Sequence, residues 1–285
     1  MSFVYAEKTN ILFENIPIIT TQIFSDTKIT MTDSMKSNWS TPQIANIEKF
    51  GFIKSMIICP TCCISFAGNE LLYVTKLFDE IFNIGTLTEE QLIELAYNTH
   101  MSAKKDDIEF IICYADDENK THIVCIKERH CYRDCQFAWI GSCATFDEMQ
   151  RKRKMLNEKT STDAIFQSAI DSGVDEFVGG FDISASYMEQ ENRFVYDNRM
   201  ITHYPKEQLV LPGENVKIFC GSDEGGYTIS YQETPDGLLI QLEQSDLTVL
   251  YSNKYRLTEE DIKNKNIKYF MLPMRIHRDT GRIIG

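Results

Sequence analysis

Cys62-Cys63-Ile64-Ser65-Phe66-Ala67-Gly68-Asn69-Glu70-Leu71-Leu72-Tyr73-Val74 carries the chain from one kind of structure into another. Up to Ala67 the residues are small, apolar or β-branched, as a buried strand requires. Gly68 ends that strand and Asn69 stands where a helix N-cap belongs. Leu71, Leu72, Val74, Leu77, Phe78, Ile81 and Phe82 then fall on one broad face of a helix over 70–84.

Upstream, 50–58 reads as a partner strand joined to 62–67 by the turn Pro60-Thr61. Ser2 to Glu7 alternates at period two, and 11–19, 21–24 and 28–31 are extended and β-branched, with a polar loop over 33–48. Downstream, Thr88 and Gln91 form a capping box for a second helix over 89–101. Strands follow at 108–114, 122–126 and 135–140, a second helix pair at 146–156 and 163–172, and strands again at 179–185 and 193–196. The order is strands, two helices, strands, two helices, strands. That grouping predicts an α+β fold in which antiparallel sheets are flanked by helix pairs, a four-layer αββα sandwich.

The first domain is placed at 1–204. Residues 205–285 read as a small β-rich C-terminal extension. It has strand patterns at 209–211, 216–220, 227–231, 238–242 and 247–251, a short helix from Thr258, and a last apolar segment at 267–272. It carries no functional motif.

Composition narrows the function classes. A 43% hydrophobic, 25% charged chain can bury a sizeable core. A net charge of −13 opposes a nucleic-acid surface, which needs clustered cations. The basic run Arg151–Lys154 reads as a solvated helix face. No signal peptide is legible, and the longest apolar run, 56–68, is broken by Pro60 and too short to span a bilayer. Nine cysteines, an odd number, fit reduced thiols, so a cytoplasmic location without membrane or nucleic-acid partners is expected. Cys59-Pro60-Thr61-Cys62-Cys63 has the spacing of a metal or redox motif, which His130, Cys131 and Cys135 could complete. A second Cys-x-x-Cys is missing, however, and buried free cysteine is a common core residue, so no metal is expected. A histidine–cysteine pairing of His100 or His130 with Cys143 lacks any positional support. The glycine-rich loop 221–226 has no following lysine or helix, so it is no phosphate cradle, and no cofactor is expected.

Several short motifs remain. Ser25-Asp26-Thr27-Lys28-Ile29-Thr30 precedes Lys54 and then Phe66-Ala67-Gly68-Asn69. Ile140-Gly141-Ser142-Cys143 precedes Asp175-Glu176-Phe177-Val178-Gly179-Gly180, and Met1-Ser2 begins the chain. Together with the element order, these motifs over 2–197 resemble the proteasome β-subunit family of N-terminal nucleophile hydrolases. The resemblance implies that Ser2, freed by removal of Met1, is the nucleophile. It also implies that Asp26 orients Lys54, that the Gly68 N–H helps hold an oxyanion, and that Ser142 and Asp175 tether the terminal amine.

Such chemistry suits the residue types. A serine hydroxyl needs a nearby base, and an α-amino group has a reference pKa near ~8. A lysine beside it would favour its neutral form. Family members assemble into rings, so a homo-oligomer acting on peptide or small amide substrates is implied. The family also contains silent structural or binding subunits, the alternative reading here. Three departures stand out: the nucleophile would be a serine where the family usually has threonine, Val178 replaces a serine of the family motif, and the interval before Asp26 is longer than the family's.

Overall fold

The computed structural model describes residues 2–13, 16–28, 53–84, 87–104, 107–156, 160–180 and 182–197, with the strand segments 199–203, 209–210, 217–218, 227–234, 237–242, 247–252 and 269–271. Met1, Ile29 and Thr30, the loop 33–48, the loop 221–226 and the helix expected from Thr258 lie outside the described residues.

The N-terminal alternation continues farther than expected. Instead of several short segments, β1 (Phe3–Phe13) and β2 (Ile16–Asp26) form one long antiparallel ribbon, in register from Val4↔Ser25 to Phe13↔Ile16. Only the proximal half of this ribbon sits inside a wider sheet. β8 (Phe137–Gly141) pairs with Phe3–Glu7, and β9 (Asp182–Met188) pairs with Gln22–Asp26. β10 (Arg193–Tyr196) completes the first sheet, in the order β10-β9-β2-β1-β8, antiparallel throughout.

The second sheet is a meander of β3 (Ser55–Cys59), β4 (Cys62–Gly68), β5 (Ile108–Ala115), β6 (Thr121–Lys127) and β7 (His130–Tyr132), also antiparallel throughout. Its inner strands are buried along almost their whole length, as happens when both faces of a sheet are covered.

Among the described residues, four α-helices accompany these sheets: α1 (Leu71–Ile84), α2 (Glu89–Ser102), α3 (Cys143–Met155) and α4 (Thr162–Ile170). The period-two pleat of β1 and β2 divides their side chains between two cores. Val4, Ala6 and Ile23 pack in one cluster with Ile64, Phe110, Ile112 and Val124 of the second sheet, and with Leu77, Phe78, Leu92 and Ile93 of α1 and α2. Phe3, Tyr5 and Phe24 pack in the other with Met149 of α3 and Ile165, Phe166 and Ile170 of α4. Phe166 stacks on Phe3, with ring centroids 5.1 Å apart, and leans on Phe24 at 5.8 Å. The result is a mixed α+β sandwich.

Polar side chains fasten these elements at identifiable points. The expected capping box at α2 is present, with the Thr88 hydroxyl accepting from Gln91 N and the Gln91 side chain accepting from Thr88 N. His100 is a structural residue. Its Nε2 accepts from Arg129 N at 3.0 Å, so Nδ1 carries the proton shared with the Ile108 carbonyl at 2.6 Å. The basic run on α3 is not simply a solvated face. Arg151 pairs with Glu148 on its own helix, whereas Arg153 reaches inward to Glu7 at 3.0 Å and the Tyr5 hydroxyl at 3.1 Å, tying α3 to β1.

Beyond β10, β11 (Arg199–His203), β14 (Tyr227–Thr234), β15 (Gly237–Leu242), β16 (Leu247–Ser252) and β17 (Tyr269–Met271) form a third five-stranded sheet. β12 (Leu209–Val210) and β13 (Lys217–Ile218) pair with each other. Within the third sheet β17 runs parallel to β16 and the other pairs are antiparallel. This sheet draws its first strand from residues before 205.

Candidate active site

β2 ends at Asp26, directly opposite Asp182 of β9, and Asp26 is completely buried. A carboxylate in such a place must be hydrogen-bonded. Its Oδ1 accepts from Lys54 Nζ at 2.7 Å and from Phe3 N at 2.7 Å, and its Oδ2 accepts from Gly179 N at 3.3 Å. Three segments distant in sequence thus converge on one side chain.

Lys54 precedes β3 and is also completely buried. Besides Asp26, its ammonium donates to the Lys28 carbonyl at 2.5 Å. Burial pushes the Asp26 carboxyl above its ordinary range, with the Lys54 charge opposing that rise. Burial likewise lowers the Lys54 ammonium, and Asp26 opposes that fall. Because Nζ and the Phe3 nitrogen share one oxygen, they lie no farther apart than twice 2.7 Å. Ser2, 5% exposed, is the residue just before Phe3.

Gly141 and Ser142 hold Ser2 from the other side. The Ser2 carbonyl accepts from Ser142 N at 2.9 Å, and a Cβ at Gly141 would lie 1.9 Å from that same carbonyl oxygen. Gly141 has φ +87°, so both space and backbone conformation demand glycine here. That hypothetical Cβ would also stand 3.1 Å from the Ala67 methyl, which brings the end of β4 and its neighbour Gly68 to the same corner. Gly68 closes β4 opposite Ile108, where any Cβ would meet the Asp107 carbonyl oxygen at 2.1 Å.

The Ser142 side chain serves α3. Its hydroxyl accepts from Thr145 N at 3.1 Å and from the Thr145 hydroxyl at 3.0 Å, an N-cap that starts the helix at Cys143 rather than Phe146. Among the described contacts, those of Asp175 lie within its own turn: its Oδ1 accepts from Phe177 N at 2.9 Å and its carbonyl from Val178 N at 3.1 Å. That turn delivers Gly179 to Asp26. The Gly179 carbonyl accepts from Lys28 N at 3.1 Å, and at Gly180 (φ +80°) a Cβ would lie 2.3 Å from the Thr27 hydroxyl. The glycine pair is therefore the close approach between this loop and Thr27-Lys28. Val178 is buried in the outer core beside Phe3 and Phe166.

Ser2, Asp26 and Lys54 are thus brought together, Ser142 reaches Ser2 through its backbone, Gly68 borders the same corner, and Asp175 acts on the turn that supplies Gly179. Glu109 was missed. It lies opposite Ala67 on β5, 9% exposed, and its Oε2 accepts from Gly141 N at 2.8 Å. A carboxylate within Ile108-Glu109-Phe110-Ile111-Ile112, an otherwise apolar buried run, was the signal available in the sequence.

Among the described residues, no group of three or more histidine, cysteine or acidic side chains is placed to hold a metal ion. No helix among them is long and apolar enough to cross a membrane. His130 and Cys143 are exposed, on β7 and at the start of α3. Comparison with protein-family models finds no match, and comparison with curated proteins finds none either.

Proposed function

We propose that this chain is a proteasome-like N-terminal nucleophile hydrolase that cleaves peptide or other amide bonds. In this reading the two sheets and two helix pairs are the layers of an αββα sandwich, and Ser2 becomes the reactive residue once Met1 is removed. The observation carrying the proposal is the shared Asp26 oxygen, which holds a buried Lys54 ammonium close to the start of β1.

The chemistry follows from that arrangement. The positive charge of Lys54 favours the neutral Ser2 amine and stabilises alkoxide character at the Ser2 hydroxyl. The amine takes the hydroxyl proton as the oxygen attacks the carbonyl carbon of the substrate, and it returns that proton to the departing amine. Gly68 offers its N–H to the developing oxyanion. Water then cleaves the Ser2 ester, with the same amine as base. Glu109 and Gly141 fix the backbone around the Ser2 carbonyl, and Asp175 with the Gly179-Gly180 turn fixes Asp26. A homo-oligomer and a cytoplasmic setting belong to the same reading.

A second reading, a silent structural or binding subunit, is favoured by Val178. At the position where the family motif has a serine, this chain buries an apolar side chain. The test is hydrolysis of fluorogenic peptides by protein whose first residue is verified as Ser2, together with labelling by a serine-directed electrophile. Turnover and Ser2-linked label that both vanish in Ser2→Ala, with thermal unfolding unchanged, support the hydrolase. Undiminished turnover in Ser2→Ala removes Ser2 as nucleophile. No turnover and no label in the wild-type protein select the silent subunit.

A further inference from the structure

The tip of the β3–β4 hairpin carries chemistry that the proposed hydrolase does not use. Cys59 and Cys62 are cross-strand partners on either side of Pro60-Thr61, just past a register shift in β3 between Ile57 and Cys59. Directly opposed antiparallel residues have Cα atoms about 4.5–5.5 Å apart, within the range of about 4.4–6.8 Å that a disulfide spans. The two thiols are unequal in access: Cys59 is half-buried, whereas Cys62 is buried. Cys63, next along the strand, belongs to the opposite face of the pleat and lies across from Cys113.

The turn is held in place from both sheets. The Pro60 carbonyl accepts from Phe194 N of β10 at 2.6 Å, and the Thr61 carbonyl accepts from Ala115 N at the end of β5 at 2.8 Å. The Thr61 hydroxyl lies 3.6 Å from the Cys59 sulfur.

We infer that Cys59 and Cys62 form a thiol–disulfide exchange site, with Cys59 as the attacking thiol, Cys62 as the resolving thiol, and a low-molecular-weight disulfide as the oxidising substrate. A hydrogen bond from Cys62 lowers the Cys59 thiol to about 7, while the Cys62 thiol is pushed well above its ordinary value by its bond to Cys59 and by burial. The asymmetry gives each sulfur its role. The Cys59 thiolate attacks one sulfur of the substrate disulfide, forming a mixed disulfide and releasing one thiolate. Cys62 then loses its proton and attacks the Cys59 sulfur, releasing the second thiolate. The Cys59–Cys62 pair is oxidised by two electrons, the substrate disulfide is reduced by two, and the protons of both cysteines end on the two released thiols. The site does not depend on the hydrolase reading.

The experiment treats the full-length folded protein with oxidised glutathione and locates the products by peptide mass spectrometry. An intramolecular Cys59–Cys62 disulfide, with the loss of two hydrogens, is expected in the wild type. Cys62→Ser should stop at a glutathionyl adduct on Cys59, and in Cys59→Ser the Cys62 thiol should remain reduced. A different cysteine pair in the wild type, reaction at exposed Cys143 with Cys59 and Cys62 untouched, or rapid modification of Cys62 in Cys59→Ser would overturn the inference. A variant-free check is the pH dependence of Cys59 alkylation in the wild type. A midpoint near 7 agrees with the structure, whereas one in the ordinary thiol range near ~8.5 contradicts it.

Discussion

Asp26 and Lys54 show how little a residue's identity says about its setting. Aspartate and lysine are surface residues by default, and nothing adjacent to either one announces burial. Only their place in a set of spaced motifs singled them out. The ion pair is fully desolvated, and removing one partner of such a pair typically costs about 3–5 kcal/mol, because the other charge is left uncompensated. Asp26→Asn should therefore destabilise the protein by an amount in that range in chemical denaturation. Asp26→Asn combined with Lys54→Met should recover part of the loss, since the stranded ammonium is gone. A double variant that costs the sum of the two single ones would mean the pair is not coupled. Glu109 was the less legible residue: its partner Gly141 is 32 positions away, and no local pattern couples the two.

At the scale of elements, most of the fold was readable. Strand alternation, the capping box of α2 and the apolar faces of the helices are all local signals, and β4, β5, β6, α1 and α2 appear within a few residues of their expected spans, whereas β1 runs on well past Glu7. β7 escaped because it is three residues long and its sequence, His-Cys-Tyr, has no period to detect. α3 starts three residues before Phe146, where its apolar pattern begins, because the Ser142 hydroxyl caps it. α4 offers a direct test of how the outer core supports the site. Phe166 is fully buried against Phe3 and Phe24. Phe166→Ala should cost about 3–5 kcal/mol by cavity formation, read as a lowered midpoint of thermal unfolding. A loss below 1 kcal/mol, of the order of a surface change, would show that α4 is not packed on β1 as described.

For the whole molecule, the boundary expected at residue 205 follows the end of the family resemblance, and strand pairing in the third sheet begins at Arg199. The short connection from β10 to β11 contains neither glycine nor proline to mark it. The net charge of −13 is a property of the entire surface, and it acts on approaching charged molecules through long-range steering. If the hydrolase reading holds, lysine- and arginine-bearing peptides should be cleaved with higher kcat/KM than acidic ones at low salt. That gap should narrow as ionic strength rises and the Debye length falls toward about 8 Å at 0.15 M. A preference independent of salt would assign selectivity to local contacts instead. The β1–β2 ribbon has a different consequence, one for how such a chain can diverge. Its ends at Phe3 and Asp26 are fixed by β8, β9 and Lys54, while its far half runs on past those flanking strands. Residues inserted in matched pairs, one in the far half of β1 and one opposite it in β2, leave the register at Phe3 and Asp26 untouched. A single unmatched insertion must be absorbed as a bulge or else turns the side chains beyond it to the opposite face. The far half of the ribbon can thus lengthen by twos without disturbing the residues at its base.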